Sequence, residues 1–391
     1  MNWIWGLGVV ALVALAFLGL GLPEDERAME CTWAGPVSDA DWPMFRYNIA
    51  RTGFNPVEDT ARPPFELAWS FETDGKMCGA SPSVVDGILY VGSSDQNVYA
   101  LDAATGCEIW RYATEGTIFS TPAVFGGIAY VGSYDGNVYA LDAYDGGLVW
   151  SYETGTQGST FPEVRSSPAV VNGMVFIGSH DHVFYALDAE KGTCKWSFET
   201  RSLVSSSPAV VDGVVYFGSW DSIVYALDAE TGAEIWRYDT QDVVFSSPAV
   251  VDGVIYIGSD DSNVYALDAA TGDEIWRFET GDNVRCSPAV AEGVVYIGSY
   301  DSCFYALNAE TGEEIWEYET GHWIRSQPAV ANGVVYFGSF DDWFYAVDAV
   351  SGILLWSYRT RSAVSAAPTV VNGMVYITSW DGSVYAFGPS G

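Results

Sequence analysis

A register of 40 residues, repeated from Phe65 to the end, constrains this 391-residue chain more than any other feature. A Pro, mostly preceded by Ser, recurs at Pro82, Pro122, Pro168, Pro208, Pro248, Pro288, Pro328 and Pro368. A Trp recurs at Trp69, Trp110, Trp150, Trp196, Trp236, Trp276, Trp316 and Trp356. Eight copies of each landmark define eight units, with one six-residue insertion in the stretch Gly155 to Pro162. A fixed period of this length marks a repeat architecture, whose units depend on their neighbours for burial.

Each unit carries four strand signals. In the fifth they read SSPAVV, VIYIGS, NVYALDA and DEIWRFET. Asp252-Gly253 joins the first two, as Asn172-Gly173, Asp212-Gly213 and Asn372-Gly373 do elsewhere. Such pairs tolerate positive φ and predict two-residue type I′ hairpins. The 15% aromatic content and 41 Gly suit many short strands and tight turns, and 17% charged residues exclude a disordered chain or a long coiled coil. A four-stranded sheet of forty residues cannot stand alone, and stacking such sheets radially gives a β-propeller. The repeat opens with a fourth-type strand, Phe65 to Phe71, and ends with a third-type strand, Val384 to Phe387. The expected fold is therefore all-β, an eight-bladed propeller of four-stranded antiparallel blades whose last blade is completed by the N-terminal strand. An open solenoid would need polar caps, and the sequence has none.

Ahead of the repeat, Trp3 to Leu22 is an uncharged apolar run, about long enough to cross a bilayer. Residues 1–22 read as a signal peptide or membrane anchor, 23–64 as a lead-in and 65–391 as the propeller. No Lys or Arg precedes the run and no small-x-small site ends it, which favours an uncleaved anchor. The chain is thus expected to be exported, either anchored on the outer side of a membrane or secreted. Its 51 acids against 16 bases, net −35, argue against nucleic acid as a partner. The acidic surface suits either a salt-rich medium or ordinary solubility. Six Cys (Cys31, Cys78, Cys107, Cys194, Cys286, Cys303) are too few and too irregular for a disulfide framework, and most read as free thiols.

The stretch Tyr225-Ala226-Leu227-Asp228-Ala229-Glu230-Thr231-Gly232 with Trp236 resembles the tryptophan-docking motif of the quinoprotein-like propeller repeats. The match recurs through residues 65 to 391, and the lead-in Asp41 to Asn48 with Arg51-Thr52-Gly53 resembles that of such proteins. In that family the Trp of the outermost strand packs against the next blade, the role implied here for all eight repeated Trp. Pyrroloquinoline quinone (PQQ) dehydrogenases of the family are longer, bind calcium through Glu and Asn beside a catalytic Asp, and often carry adjacent cysteines. No two Cys adjoin here, and only the loop around Thr160-Phe161-Pro162-Glu163 could roof a cofactor. The sequence is similar rather to non-enzymatic members, among them the propeller lipoprotein of the outer-membrane β-barrel assembly machinery (BamB-like).

Candidate binding residues fall where the units differ. The DAxTG and Asp-Gly turns repeat almost verbatim, whereas loops at the other end of the ring vary, and variable loops on a rigid scaffold are where binding evolves. Three residues before each Pro stand Gly79, Phe119, Arg165, Ser205, Phe245, Arg285, Arg325 and Ser365. Three of the thirteen Arg thus share one position at the mouth of the central channel. Before the repeated Asp of the second-to-third turn stand Tyr134, His180, Trp220, Tyr300, Phe340 and Trp380. Arg with aromatics on one rim could hold a planar or carboxylated ligand, or an extended peptide. The plainer reading pairs each Arg with a neighbouring Asp and makes the aromatics wedges between blades. Asp95, Asp135, Asp181, Asp221, Asp261, Asp301, Asp341 and Asp381, present in every unit, read as turn-holding rather than catalytic. His180 and His182 lie four units from His322, so no metal site is expected.

The expectation is a non-catalytic, monomeric propeller of the envelope or exterior, without a cofactor, binding a protein or peptide. Two alternatives stand beside it: a dehydrogenase using PQQ with calcium, and an extracellular carbohydrate-binding module.

Overall fold

The computed structural model describes residues 41–77, 79–155 and 162–389. The apolar run, and most of the insertion in the third unit with Thr160 and Phe161, lie outside the described residues. Among the described residues no helix is long and apolar enough to cross a membrane.

Eight sheets follow one another along the chain, each built as a simple meander. In blade 1, β3 (Ser83–Val85) pairs with β4 (Ile88–Gly92), then β5 (Asn97–Asp102), then β6 (Glu108–Ala113). Blades 2 to 7 repeat this pattern up to Arg359. Blade 8 has three strands of its own, and β2 (Phe65–Glu72) supplies its fourth by pairing with Ser383–Pro389. The expected closure is what forms. The hairpins between first and second strands are the mirror-image turns the dipeptides predict, with Asp252 at φ 49° and Gly253 at φ 77°.

Cohesion between blades is carried by a repeated pair of donors. In blade 1, Tyr90 Oη and Trp110 Nε1 both donate to the Ala143 carbonyl of blade 2, at 3.1 and 2.9 Å. The same pair in blade 4, Tyr216 and Trp236, meets Ala269 of blade 5. Ring closure uses this contact too: Trp69 on β2 and Tyr376 both donate to Ala103 at 3.0 Å. Each indole also lies against the Gly of the next DAxTG turn so closely that a Cβ on Gly272 would stand 2.7 Å from Trp236. Blade 3 keeps the indole alone, Trp196 to Ala229, since Phe176 stands in the Tyr position. Blade 7 departs further, because blade 8 carries Phe387-Gly388-Pro389 in place of the Leu-Asp-Ala that opens such a turn. There the lead-in substitutes. Tyr336 Oη donates to Ala61, and Trp356 packs edge-on against Phe65 and Phe387.

The lead-in is an integral part of the ring. Carbonyls of Trp42, Pro43, Ile49, Ala50, Thr52 and Gly53 accept from Val84, Val124, Val210, Val250, Val290 and Val330, one in the innermost strand of each of six blades. β1 (Phe54–Asn55) extends blade 7 as a parallel fifth strand along Ala329–Ala331. Inner strands lack an outer neighbour on the axial side, and this segment satisfies the amides that would otherwise be buried unpaired. Arg46 and Arg51 are fully buried within it, at 0% exposure. Arg51 donates to the carbonyls of Pro208, Phe45 and Pro168 at 2.9, 2.6 and 2.9 Å, which offsets the cost of burying its charge.

Candidate functional site

The repeated Asp of the second-to-third turn is accounted for by the backbone. Asp261 Oδ1 accepts from Asn263 N at 3.0 Å, and its Oδ2 accepts from the Tyr265 hydroxyl. Asp95, Asp135, Asp181, Asp221, Asp301, Asp341 and Asp381 do the same in their blades. These carboxylates brace turns and leave the residue before each free to vary.

Those variable residues line up as two aromatic arcs. One runs Phe119, Tyr134, His180, Trp220, Phe245, with successive ring centroids 4.6, 6.1, 6.1 and 6.1 Å apart. The other runs Tyr300, Trp323, Phe340, Trp380 at 5.0, 6.2 and 5.2 Å, and Lys76 Nζ lies 5.7 Å from the Trp380 ring. Between the arcs the aromatic position is held by Asp260. Trp323, which the sequence reading passed over because it lies outside both repeated positions, is 43% exposed and stacks flat on Tyr300. His180 is buried: its Nδ1 lies 3.1 Å from Glu163 and its Nε2 2.7 Å from Ser205 Oγ. Burial first, then Arg165 and His182, hold its pKa down at about 4.

At the centre, Arg165, Arg285 and Arg325 converge on the ring of Phe245, their Cζ atoms 4.8, 5.8 and 4.9 Å from its centroid. Arg165 also covers Phe119 at 5.0 Å, and Arg285 covers Tyr300 at 5.4 Å. The pairing of Arg with Asp holds for one of the three. Arg285 clasps Asp260, with Nε 2.9 Å from Oδ1 and Nη2 2.6 Å from Oδ2. Asp260 is not one of the repeated turn Asp but a departure from the aromatic rule, and that departure is legible in the sequence. Arg165 and Arg325 have no carboxylate partner among the described residues. Burial and the neighbouring guanidiniums bring Arg325 down to about 10.

These Arg line a funnel of about 50 Å³ together with Ser167, Ser207, Ser247, Ser287, Gln327 and Phe45 of the lead-in. The Ser before Pro168, Pro208, Pro248 and Pro288 link blade to blade: Ser167 N donates to Ser207 Oγ, Ser207 N to Ser247 Oγ, and Ser247 N to Ser287 Oγ, at 2.8–2.9 Å. A larger cavity of about 880 Å³ opens at the other end of the molecule between blades 3 and 4, lined by Met174, Phe176 and Val214 and by the acids Asp212, Asp228 and Glu230. Of the cysteines, Cys194, Cys286 and Cys303 are free. Cys107 is disulfide-bonded, so an irregular set still supplies a covalent link.

The repeated sequence matches the family described as outer membrane protein assembly factor BamB over residues 63–169, 159–223, 220–326 and 321–389. Among curated relatives, a quinohemoprotein alcohol dehydrogenase from Comamonas testosteroni is 36% identical over 83 residues, 20% of this chain and 12% of that protein. A polyvinylalcohol dehydrogenase from Sphingopyxis sp. (strain 113P3) is 41% identical over 54 residues, 14% of this chain and 8% of that protein. The matched stretches are thus a small part of either dehydrogenase. Solved structures share the fold: a europium-containing methanol dehydrogenase superposes with TM-score 0.79 at 16% identity, covering 89% of this chain and 98% of the other. BamB from Moraxella catarrhalis superposes with TM-score 0.70 at 22% identity, covering 83% and 98%. With eight closed blades and a family match from residue 63 to residue 389, the chain belongs to the BamB-type family of PQQ-like propellers.

Proposed function

We propose that this protein is a non-catalytic scaffold of the cell envelope that binds a polypeptide partner through its aromatic and Arg-bearing face. The observation that carries the reading is the arc Tyr300, Trp323, Phe340 and Trp380, which spans blades 6 to 8 with Trp323 exposed at its middle. Aromatic and Arg side chains supply most of the energy in protein interfaces, and a rigid ring presents them at little entropic cost. Membership of a family named for an assembly factor supports the same reading. The Trp3 to Leu22 run would hold the propeller at a membrane, with its body on the outer side.

The second reading, a quinone-dependent dehydrogenase, draws on the short matches to alcohol dehydrogenases. Two observations on the described residues weigh against it. Among the described residues no three His, Cys, Asp or Glu side chains are grouped to hold a metal ion. The axial cavity, at about 50 Å³ and lined in part by Phe245, is smaller than a tricyclic quinone.

A photo-crosslinking residue at position 323, compared with one at Glu310 on the opposite face, tests the scaffold reading in envelope preparations. A defined polypeptide adduct from position 323 alone is expected. Equal labelling from both faces, or dye reduction by the protein supplied with PQQ and calcium, would count against it.

A further inference from the structure

The axis of this ring gathers Arg and Ser donors beside the rings of Phe45, Phe119 and Phe245 and one unpaired acceptor, Gln327 Oε1. In a chain of net charge −35, five of the thirteen Arg (Arg46, Arg51, Arg165, Arg285 and Arg325) sit on or around it; Arg46 and Arg51 donate to backbone carbonyls, and Asp260 is the only carboxylate that pairs with any of the five among the described residues. The hydroxyls of Ser167, Ser207 and Ser247 each accept a backbone N–H from the preceding blade, as Ser287 does. A hydroxyl that accepts in this way still carries its own hydrogen, and none of the four donates it to a described residue. Arg46, whose Nη1 reaches the Ser247 and Pro248 carbonyls without lining the cavity, is wholly buried, and its Nε and Nη2 have no partner among the described residues. Buried donors without acceptors are costly, so a site that gathers several is built for a group that arrives with lone pairs and negative charge.

We propose that the funnel is a carboxylate-binding site, in which Arg165, Arg325 and the hydroxyls of Ser167, Ser207, Ser247 and Ser287 hold a single carboxylate group. The inference rests on reading this face as the binding face and names the chemistry its centre takes. The cavity of about 50 Å³ has room for a carboxylate and little more, so the rest of the ligand lies above it among the aromatic arcs. Arg285 is excluded from the ligand shell because Asp260 already occupies its fork. The carboxylate could belong to a free small acid or to the end of a polypeptide, and the two are separable.

The experiment titrates the detergent-solubilised full chain at low ionic strength with acetate, with acetamide, and with one tetrapeptide bearing either a free or an amidated C-terminus. Heat of binding and the thermal midpoint are both recorded. Saturable acetate binding that raises the midpoint, with no such effect of acetamide, is expected. The Arg165→Gln/Arg325→Gln variant should bind acetate about tenfold or more weakly, whereas Arg111→Gln should match the parent. Since the double change removes uncompensated charge, its midpoint without ligand should not fall, which separates lost binding from lost folding. A free-acid tetrapeptide that outcompetes acetate, with its amide inert, assigns the site to chain ends; acetate binding without that preference assigns it to small acids. Equal response to acetate and acetamide, or undiminished binding in the double variant, overturns the proposal. That failure leaves crosslinking at position 323 unaffected, and failed crosslinking with intact acetate binding would remove only the scaffold reading.

Discussion

Arg285 and Asp260 are, among the described residues, the one closed Arg–carboxylate pair at the mouth of the channel, and they sit at the break between the two aromatic arcs. The pair joins the variable loop before blade 6 to the variable turn of blade 5. Asp260 Oδ2 is reached by Nη2 at 2.6 Å, and the carboxylate is buried while the guanidinium is about a third exposed. Removing the acid would leave a third uncompensated guanidinium around Phe245. Asp260→Ala is expected to lower unfolding free energy by about 1–3 kcal/mol, the guanidinium's partial exposure keeping the loss below that of a fully buried pair. Urea denaturation measures it, and a loss below about 0.5 kcal/mol would show the pair to be dispensable.

Glycines of the same backbone conformation should differ sharply by position. Gly253 at φ 77° has open space around it, whereas Gly272 at φ 78° lies under the Trp236 indole. Gly253→Ala should cost about 1 kcal/mol, the penalty of a left-handed L-residue alone. Gly272→Ala adds a steric clash and should cost about 2–4 kcal/mol. Equal losses in paired denaturation curves would mean that the indole does not lock the blades.

Arg51 holds the lead-in to blades 3 and 4 through carbonyls of Pro168 and Pro208. Burial brings its pKa down to about 9, still above neutrality, so it is charged when bound. Arg51→Met is expected to cost about 3 kcal/mol or more, because the three peptide carbonyls it serves at 2.6–2.9 Å lose their donor while buried. Protease sensitivity near residue 50 should rise with it. A variant as stable and as resistant as the parent would contradict the lead-in's place in the core.

His180 provides a pH dependence of known sign. Its folded pKa, about 4, lies below the ordinary 6.5, so the neutral ring favours the native state. That contribution is whole above about pH 6.5 and drains away as pH falls toward 4, since over that window only the unfolded chain takes up the proton. The advantage of the parent over His180→Gln, roughly 1–3 kcal/mol at pH 7, should therefore shrink at pH 5. An advantage that grows on acidification would reverse the assignment.

Fifty-one acids against sixteen bases predict self-repulsion that salt relieves. The thermal midpoint should climb between about 10 mM and about 1 M KCl, over which the screening length falls from roughly 30 Å to 3 Å. A flat response would show that the surface acids are spaced too widely to strain the fold.

The architecture was legible because a propeller is local. Each blade is a meander of adjacent strands, so a period of 40, type I′ dipeptides and a recurrent Trp are enough to count sheets and to see that the last one lacks a strand. Candidate residues were legible for the same reason: Arg165, Arg285 and Arg325 share one place in the repeat. Trp323 carries no repeat signal, since it belongs to neither repeated position, and Asp260 is hidden by the repeated Asp261 beside it. The lead-in offered no periodic signal, and the six carbonyls it supplies to the inner strands are backbone atoms that side-chain patterning does not report.

By itself the sequence determined the number of blades and which end of the ring varies, consequences of contacts within a repeat of about forty residues, and the direction of closure, which follows from a fourth-type strand opening the repeat and a third-type strand ending it. Only tertiary structure decided which guanidinium is neutralised, which hydroxyls face the axis and what covers the inner strands. Those outcomes depend on groups from several blades and the lead-in meeting at one point, over 201 residues in the case of Arg46 and Ser247. Closing the ring makes that meeting, and no single repeat contains it.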